Sequence, residues 1–298
     1  MDAVFRVAEE RDLAELWALF DREFIISRGR AISLRERYPA TYAADNVKGL
    51  YLARTPDGAL AACLAARTFS MCHGGATLRG AMLGGVCTDA PYRRQGMGGA
   101  LLRWSAAHLR ETGIEFAVLW SARQDFYRRL GWQQAGGGVL GRVTGDRKDA
   151  ALRVEVMPAA ACDVQYIEAI RAQYLDTRVL RSADDYAQLP IPADAVDLFL
   201  WRDAGNAAYA LAGRSAAQAI VYEMVGAEQG FAALWQAVRS GHADVLINDC
   251  RGSASFSWLS RHAAIAWEDK PLALWMPLAG AADAVGHGQW HIPYFDRV

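Results

Sequence analysis

Arg93-Arg94-Gln95-Gly96-Met97-Gly98-Gly99 is the stretch whose residue types and spacing could do chemistry. An apolar run at 81–88 reads as a strand, and 96–111 reads as a helix that stops near Gly113. The glycines sit where the strand turns into the helix, so the backbone can come close to a ligand. The unpaired N–H groups of a helix start, with the helix dipole behind them, attract an anion. Arg93 and Arg94 add forked donors suited to phosphate. Two phosphate-loop patterns fail. No Lys follows the glycines as in GxxxxGK[ST], and Gly96-x-Gly98 is followed by Leu101 where GxGxxG or GxGxxA needs a small residue.

A second marker lies about 25 residues on, Phe126-Tyr127-Arg128-Arg129-Leu130-Gly131-Trp132, with an apolar strand at 116–120 between the two. Together the pieces resemble the coenzyme-A-binding signature of the GNAT superfamily of N-acetyltransferases. That signature is a strand ending V-x-T/V-x-P, an R/Q-x-x-G-x-G/A loop, and a later F-Y-x-x-x-G-F helix. The likeness covers residues 80–135 in detail, with Pro91 one place later than usual. It implies that acetyl-CoA is the co-substrate. Backbone groups of Val86, Cys87 and Thr88 would pair with pantetheine, and the amides of Arg94, Gln95, Gly96, Met97, Gly98 and Gly99 would hold the pyrophosphate, with Arg93 nearby. It also implies that the strands on either side splay into a slot for the thioester, and that Tyr127 is the acid that protonates the departing thiolate. Cys87 has no neighbouring base, so it does not read as a nucleophile.

These residues need elements to carry them. Phe5–Ala8 reads as a strand. Asp12 and Glu15 read as a capping box for a helix bearing Leu13, Leu16, Trp17, Phe20 and Phe24 on one face. Thr55-Pro56-Asp57-Gly58 has hairpin-turn chemistry. After residue 150 the same order returns: a strand, a helix opened by Cys162-Asp163, a hairpin about Asp203-Ala204-Gly205-Asn206, then strand, helix and strand. The expected fold is α/β (α+β). Two GNAT-like domains each have a mixed, mostly antiparallel sheet flanked by helices. On this resemblance residues 1–148 would form the acetyl-CoA-binding domain. Residues 149–298 form a degenerate one that walls the acceptor site, since its turn Val225-Gly226-Ala227-Glu228 has no arginine.

The chain of 298 residues is 53% hydrophobic with a net charge of -1, which excludes a disordered chain and argues against a nucleic-acid binder. No apolar run is long enough for a membrane span, and the N-terminus lacks a signal-peptide pattern. Five scattered cysteines without a CxxC pair suit a reducing cytoplasm, and no metal site is expected. His287 and His291 lie four apart but flank no stable helix. Residues 1–150 hold 21 Lys+Arg and 16 Asp+Glu, a net of +5, leaving the second half at -6. That acidity points mildly to a cationic acceptor. The general base has no motif. Candidates are His73, Glu223 with a raised pKa if buried, Asp249 and the C-terminal carboxylate of Val298. Six tryptophans after residue 150 read first as core and second as an acceptor wall. The reading is an N-acetyltransferase acting on a small-molecule amine by direct attack, its oligomeric state open. The alternatives are a non-catalytic acyl-CoA-binding regulator and an enzyme acting on a protein or peptide amine.

Overall fold

The computed structural model describes residues 3–145, 153–216, 218–279 and 290–297. In the first half β1 (Val4–Val7) leads to α1 (Leu13–Phe24) and two short helices, α2 (Leu34–Arg37) and α3 (Pro39–Tyr42). Strands β2 (Leu50–Arg54), β3 (Leu60–His73) and β4 (Ala76–Thr88) follow, then α4 (Met97–Glu111), β5 (Phe116–Trp120), α5 (Gln124–Arg128), β6 (Gln133–Gln134) and β7 (Gly138–Val143). The second half runs β8 (Val154–Pro158), α6 (Val164–Tyr174), β9 (Thr177–Val179), β10 (Ala195–Asp203), β11 (Asn206–Arg214) and β12 (Ala219–Gly226). It ends with α7 (Phe231–Gly241), β13 (Val245–Cys250), α8 (Ala254–His262), β14 (Ala266–Asp269) and β15 (Ala273–Pro277).

The helices form where the apolar spacing is 3.6. α1 buries Leu13, Leu16, Leu19 and Phe20. Its capping box differs from the expected Asp12–Glu15 pair. Asp12 is instead the third residue of a box begun by Glu9, accepting the Glu9 amide at 2.8 Å. Asp12 is also claimed by Arg6 and Arg54, and Glu15 turns outward to Arg54 at 2.6 Å. Long-range guanidiniums thus outcompete the local cap. Asp163 opens α6 as expected, accepting the Tyr166 amide at 3.1 Å.

There are two mostly antiparallel sheets flanked by helices. The first has the order β1-β2-β3-β4-β5-β15-β6, with β9 also on β3, and the second β14-β7-β13-β12-β11-β10-β8. Each contains one parallel pair, β4–β5 and β12–β13. Each has an irregular register beside that pair, at Cys63/Ala65 and at Leu211/Ala212. The repeat of element order is therefore a repeat of topology.

The halves are laced together by exchange. β15, from the end of the chain, lies antiparallel to β5, and β7, from the first half, lies antiparallel to β13. β15 brings Leu274 and Trp275 into the first sheet's cores. The 148/149 boundary divides the chain and not the sheets, and it falls outside the described residues. Trp258, Trp275 and Trp290 are buried in cores, and Trp201, Trp235 and Trp267 pack against the second sheet's core. Packing accounts for all six tryptophans.

Candidate active site

The expected site begins where β4 leaves β5. The two strands pair only at Gly80–Phe116, Ala81–Ala117 and Met82–Val118. Beyond Met82, β4 keeps β3 on one side and, among the described residues, has no strand on the other. At Gly85 the backbone turns to φ +61°, and two β4 residues stand opposite Leu64. Gly85 is also sterically required. A Cβ there would come 2.8 Å from Phe20 Cε1 and 2.9 Å from the Tyr42 hydroxyl. The last turns of α1 therefore press on the open edge of β4. Val86, Cys87 and Thr88 are half-buried along that edge, with backbone available to an extended ligand.

The following loop ends in strained backbone. Arg94 sits at φ +62°, a region costly for any residue with a Cβ, and Gly96 caps α4 at φ +82°. The first α4 hydrogen bond runs from the Ala100 amide to the Gly96 carbonyl at 3.0 Å. The amides of Met97, Gly98 and Gly99 thus have no partner within the helix. Met97 anchors the turn in the core, and Gly99 packs on Leu130. The arginines divide. Arg93 folds back, donating to the Thr88 carbonyl at 3.1 Å and to Glu23 at 2.7 Å. Arg94 is exposed and makes no ion pair among the described residues. Gln95 donates to the Pro91 carbonyl. Of the expected anion-binding group, Arg93 is already engaged, and the amides with Arg94 remain available.

Tyr127 projects from α5 into the core that holds Leu83, Met97 and Leu119, and against which Val86 packs. Its ring meets Phe126 and Trp132 edge-on at 5.0 and 6.1 Å. Burial raises its pKa, partly offset by a hydrogen bond with Ser121. The phenol therefore holds its proton at neutral pH. No local pattern marked Ser121, which follows β5.

Residues 4–135 match the family model of the acetyltransferase (GNAT) domain. This part of the chain is similar to a GNAT domain. The match contains both the 93–99 loop and the 126–132 segment, and the family's chemistry is acyl transfer. Among solved structures, the chain is similar to a GCN5-related N-acetyltransferase from Anabaena variabilis ATCC 29413, at 15% identity over 93% of this chain and 73% of that one, with TM-score 0.71. It is similar to a GCN5-related N-acetyltransferase from Kribbella flavida at 18% identity, 92% and 70% coverage and TM-score 0.66. It is similar also to Eis1 from Mycobacterium abscessus at 15% identity, 93% and 74% coverage and TM-score 0.61. At these identities the likeness is one of fold, and it extends across both halves. No curated protein matches the sequence.

The described base candidates Glu223, Asp249 and His73 are each already engaged by other side chains. Glu223 is overturned as a base of raised pKa. Burial pushes it up, but Arg181 and Arg171 outweigh burial and hold it at about 2. Arg181 donates to both Glu223 oxygens at 2.8 and 2.9 Å, and Tyr209 donates to one of them. Asp249 is buried with a raised pKa and accepts from Ser253, Ser255 and the Cys250 amide. It serves the start of α8. His73 bonds Thr177 at 2.7 Å, tying β3 to β9. Val298 and His287 lie outside the described residues. Burial lowers the His291 pKa to about 3, and its Nε2 has no partner among the described residues. Cys87 Sγ meets only a second thiol, Cys63, at 3.4 Å.

The second half repeats the slot's topology but fills it. Every residue of β12 is buried, whereas β4 is half-open from Gly85 to Thr88. At the start of α7, Glu228 pairs with Arg261 at 2.9 Å. A cavity of about 270 Å³ lies on the far flank of α4, lined by Leu102, Ala106, Leu130, Trp132, Met276 and Leu278. Arg103 and Arg110 also line it, but no carboxylate, imidazole or phenol does, and the strand geometry is the better guide to the site.

Proposed function

We propose that this protein is an acetyl-CoA-dependent N-acetyltransferase acting on a small-molecule amine. The observation that carries the reading is the open edge of β4 beyond Met82, running directly into unpaired amides at the start of α4. The residues present suit the co-substrate. Half-buried backbone at Val86–Thr88 fits an amide-bearing chain, and left-handed backbone at Arg94 and Gly96 leads into N–H groups suited to a diphosphate. Acetyl-CoA, when bound, supplies the activated acyl group.

The chain's own part is to place and to protonate. The amine nitrogen bonds to the acyl carbon as the carbon–sulfur bond breaks, and Tyr127 gives its proton to the sulfur. Thiol and phenol have ordinary pKa values of about 8.5 and 10, close enough for that transfer. The nitrogen's surplus proton leaves to water. The five cysteines are free thiols, which agrees with a cytoplasmic place. No helix among the described residues is long and apolar enough to cross a membrane.

One observation favours a second reading, a non-catalytic acyl-CoA-binding regulator. The described carboxylates first considered as bases are engaged elsewhere. The test is thermal melting with and without acetyl-CoA, followed by thiol release with panels of amines. A rise in Tm with amine-dependent thiol release supports the enzyme. A rise without turnover for small or peptide amines supports the regulator. No rise removes both.

A further inference from the structure

The five cysteines lie far apart in the sequence, and all are free thiols. The β3–β4 hairpin nevertheless sets two of them face to face. From His73–Ala76 back to Ala65–Gly84 the two strands pair without a break. Carried on unchanged, that register would place Val86 opposite Cys63 and Ala62 opposite Cys87. The extra residue opposite Leu64 shifts the pairing by one, and Cys63 then stands opposite Cys87. Opposed residues of an antiparallel pair point to the same face. Here that is the α1 face, where Cys63 belongs to the core of Phe20 and Tyr42 and Cys87 packs against it. The bulge at the open edge of β4 therefore brings the thiols together.

The two sulfurs are 3.4 Å apart, and neither has another hydrogen-bonding partner among the described residues. Directly opposed residues of an antiparallel pair have Cα atoms about 4.5–5.5 Å apart, inside the range of about 4.4–6.8 Å that a disulfide spans. The strands thus need no rearrangement, and rotation of the two side chains closes the remaining gap. The thiols differ in access. Cys63 is fully buried, and burial together with the neighbouring thiol raises its pKa. Cys87 is half-buried on the open edge of β4. Cys72, Cys162 and Cys250 have no comparable thiol partner among the described residues.

We propose that Cys63 and Cys87 are a reversible dithiol–disulfide site whose oxidant is a peroxide, with Cys87 reacting first. Cys87, as thiolate, attacks one oxygen of hydrogen peroxide. The O–O bond breaks, and the departing hydroxide takes up a proton and leaves as water. A sulfenic acid remains on Cys87. The Cys63 sulfur then attacks the Cys87 sulfur, the S–O bond breaks, and the hydroxide leaves with the Cys63 proton as a second water. In all, two thiols lose two electrons and one peroxide becomes two waters. In a reducing compartment such a pair stays open, and it closes when oxidant is present. The site is distinct from the proposed acyl transfer, since the thiols lie on the α1 face and Tyr127 lies in the core on the other face of the sheet.

The test uses the full chain, fully reduced and then exposed to hydrogen peroxide. Two of the five thiols are expected to disappear. The intact mass falls by about 2 Da, and digestion yields one peptide pair cross-linked through Cys63 and Cys87. Dithiothreitol reverses all three changes. The cross-link closes a loop in the unfolded chain, so the oxidised protein melts higher, by at least about 3 °C. Cys87→Ser abolishes both the mass loss and the Tm rise, whereas Cys72→Ser and Cys250→Ser keep them. Because Cys87 is only half-buried, its variant is expected to fold even where Cys63→Ala does not. Oxygen adducts on Cys87 without a cross-link overturn the proposal. So does a link through Cys72, Cys162 or Cys250, a link between two chains, a lower Tm on oxidation, or no reaction with peroxide.

Discussion

A Cβ added to Gly98 would stand 3.0 Å from Thr88 Oγ1. The first turn of α4 therefore touches the last residue of β4, and one small position couples the open strand edge to the amides that are unpaired within the helix. Gly98→Val is expected to weaken acetyl-CoA binding at least about tenfold while the chain still folds, because residue 98 is only half-buried. Titration of the Tm shift with acetyl-CoA checks this. A wild-type shift in the variant would remove the pyrophosphate role of the loop.

Tyr127→Phe keeps the ring packing on Trp132 and deletes the proton. We expect kcat to fall by about a hundredfold with acetyl-CoA affinity nearly unchanged. The acid must be protonated to act, and burial raises its pKa above the ordinary phenol value. Loss of activity through Tyr127 therefore belongs at strongly alkaline pH, and none is expected from it near neutrality. Steady-state rates across pH for both proteins decide, and a variant as fast as wild type ends the assignment.

Gly85→Ala places a Cβ at φ +61° and against Phe20 and Tyr42. The backbone penalty and the overpacking together suggest a loss of about 2–4 kcal/mol. Urea unfolding reads it directly. A loss near zero would mean that the bulge is not held by α1.

Glu223→Gln leaves Arg181 and Arg171 facing a neutral amide in a closed core, a loss of about 3–5 kcal/mol. The sign with pH follows from the carboxylate. Its folded pKa of about 2 lies below the ordinary carboxylate value of 4.5. Its contribution is complete above the unfolded value and drains away as pH falls towards about 2. Wild-type Tm should drop through that window, and the variant should show a shallower drop. Parallel curves would count against Glu223 as the titrating group.

Residues 1–145 expressed alone would lack β15, which lines β5 and buries Leu274 and Trp275. That fragment is expected to aggregate or melt without a cooperative transition, while the full chain unfolds as one unit. A soluble, cooperatively melting fragment would show that β15 is dispensable.

Local rules made much of this legible. The loop at 93–99, the helix opened by Asp163 and the turn at 203–206 follow from glycine, capping and turn chemistry within a few residues, and all stand where expected. The fold class was also readable, because periodicities of 2 and 3.6 and the order of elements determine which layers can pack. What the sequence by itself could not determine depends on partners far along the chain. Asp12 was drawn from its local cap by Arg54, 42 residues away, and Glu223 was lowered by Arg181 across the same distance. The pairing of β5 with β15, and of β7 with β13, joins strands more than 90 residues apart and sends each half's strand to the other sheet. Only the tertiary structure decided which charges cancel there, because a side chain's energy depends on its neighbours in space, and spacing along the chain sets only the nearest of them.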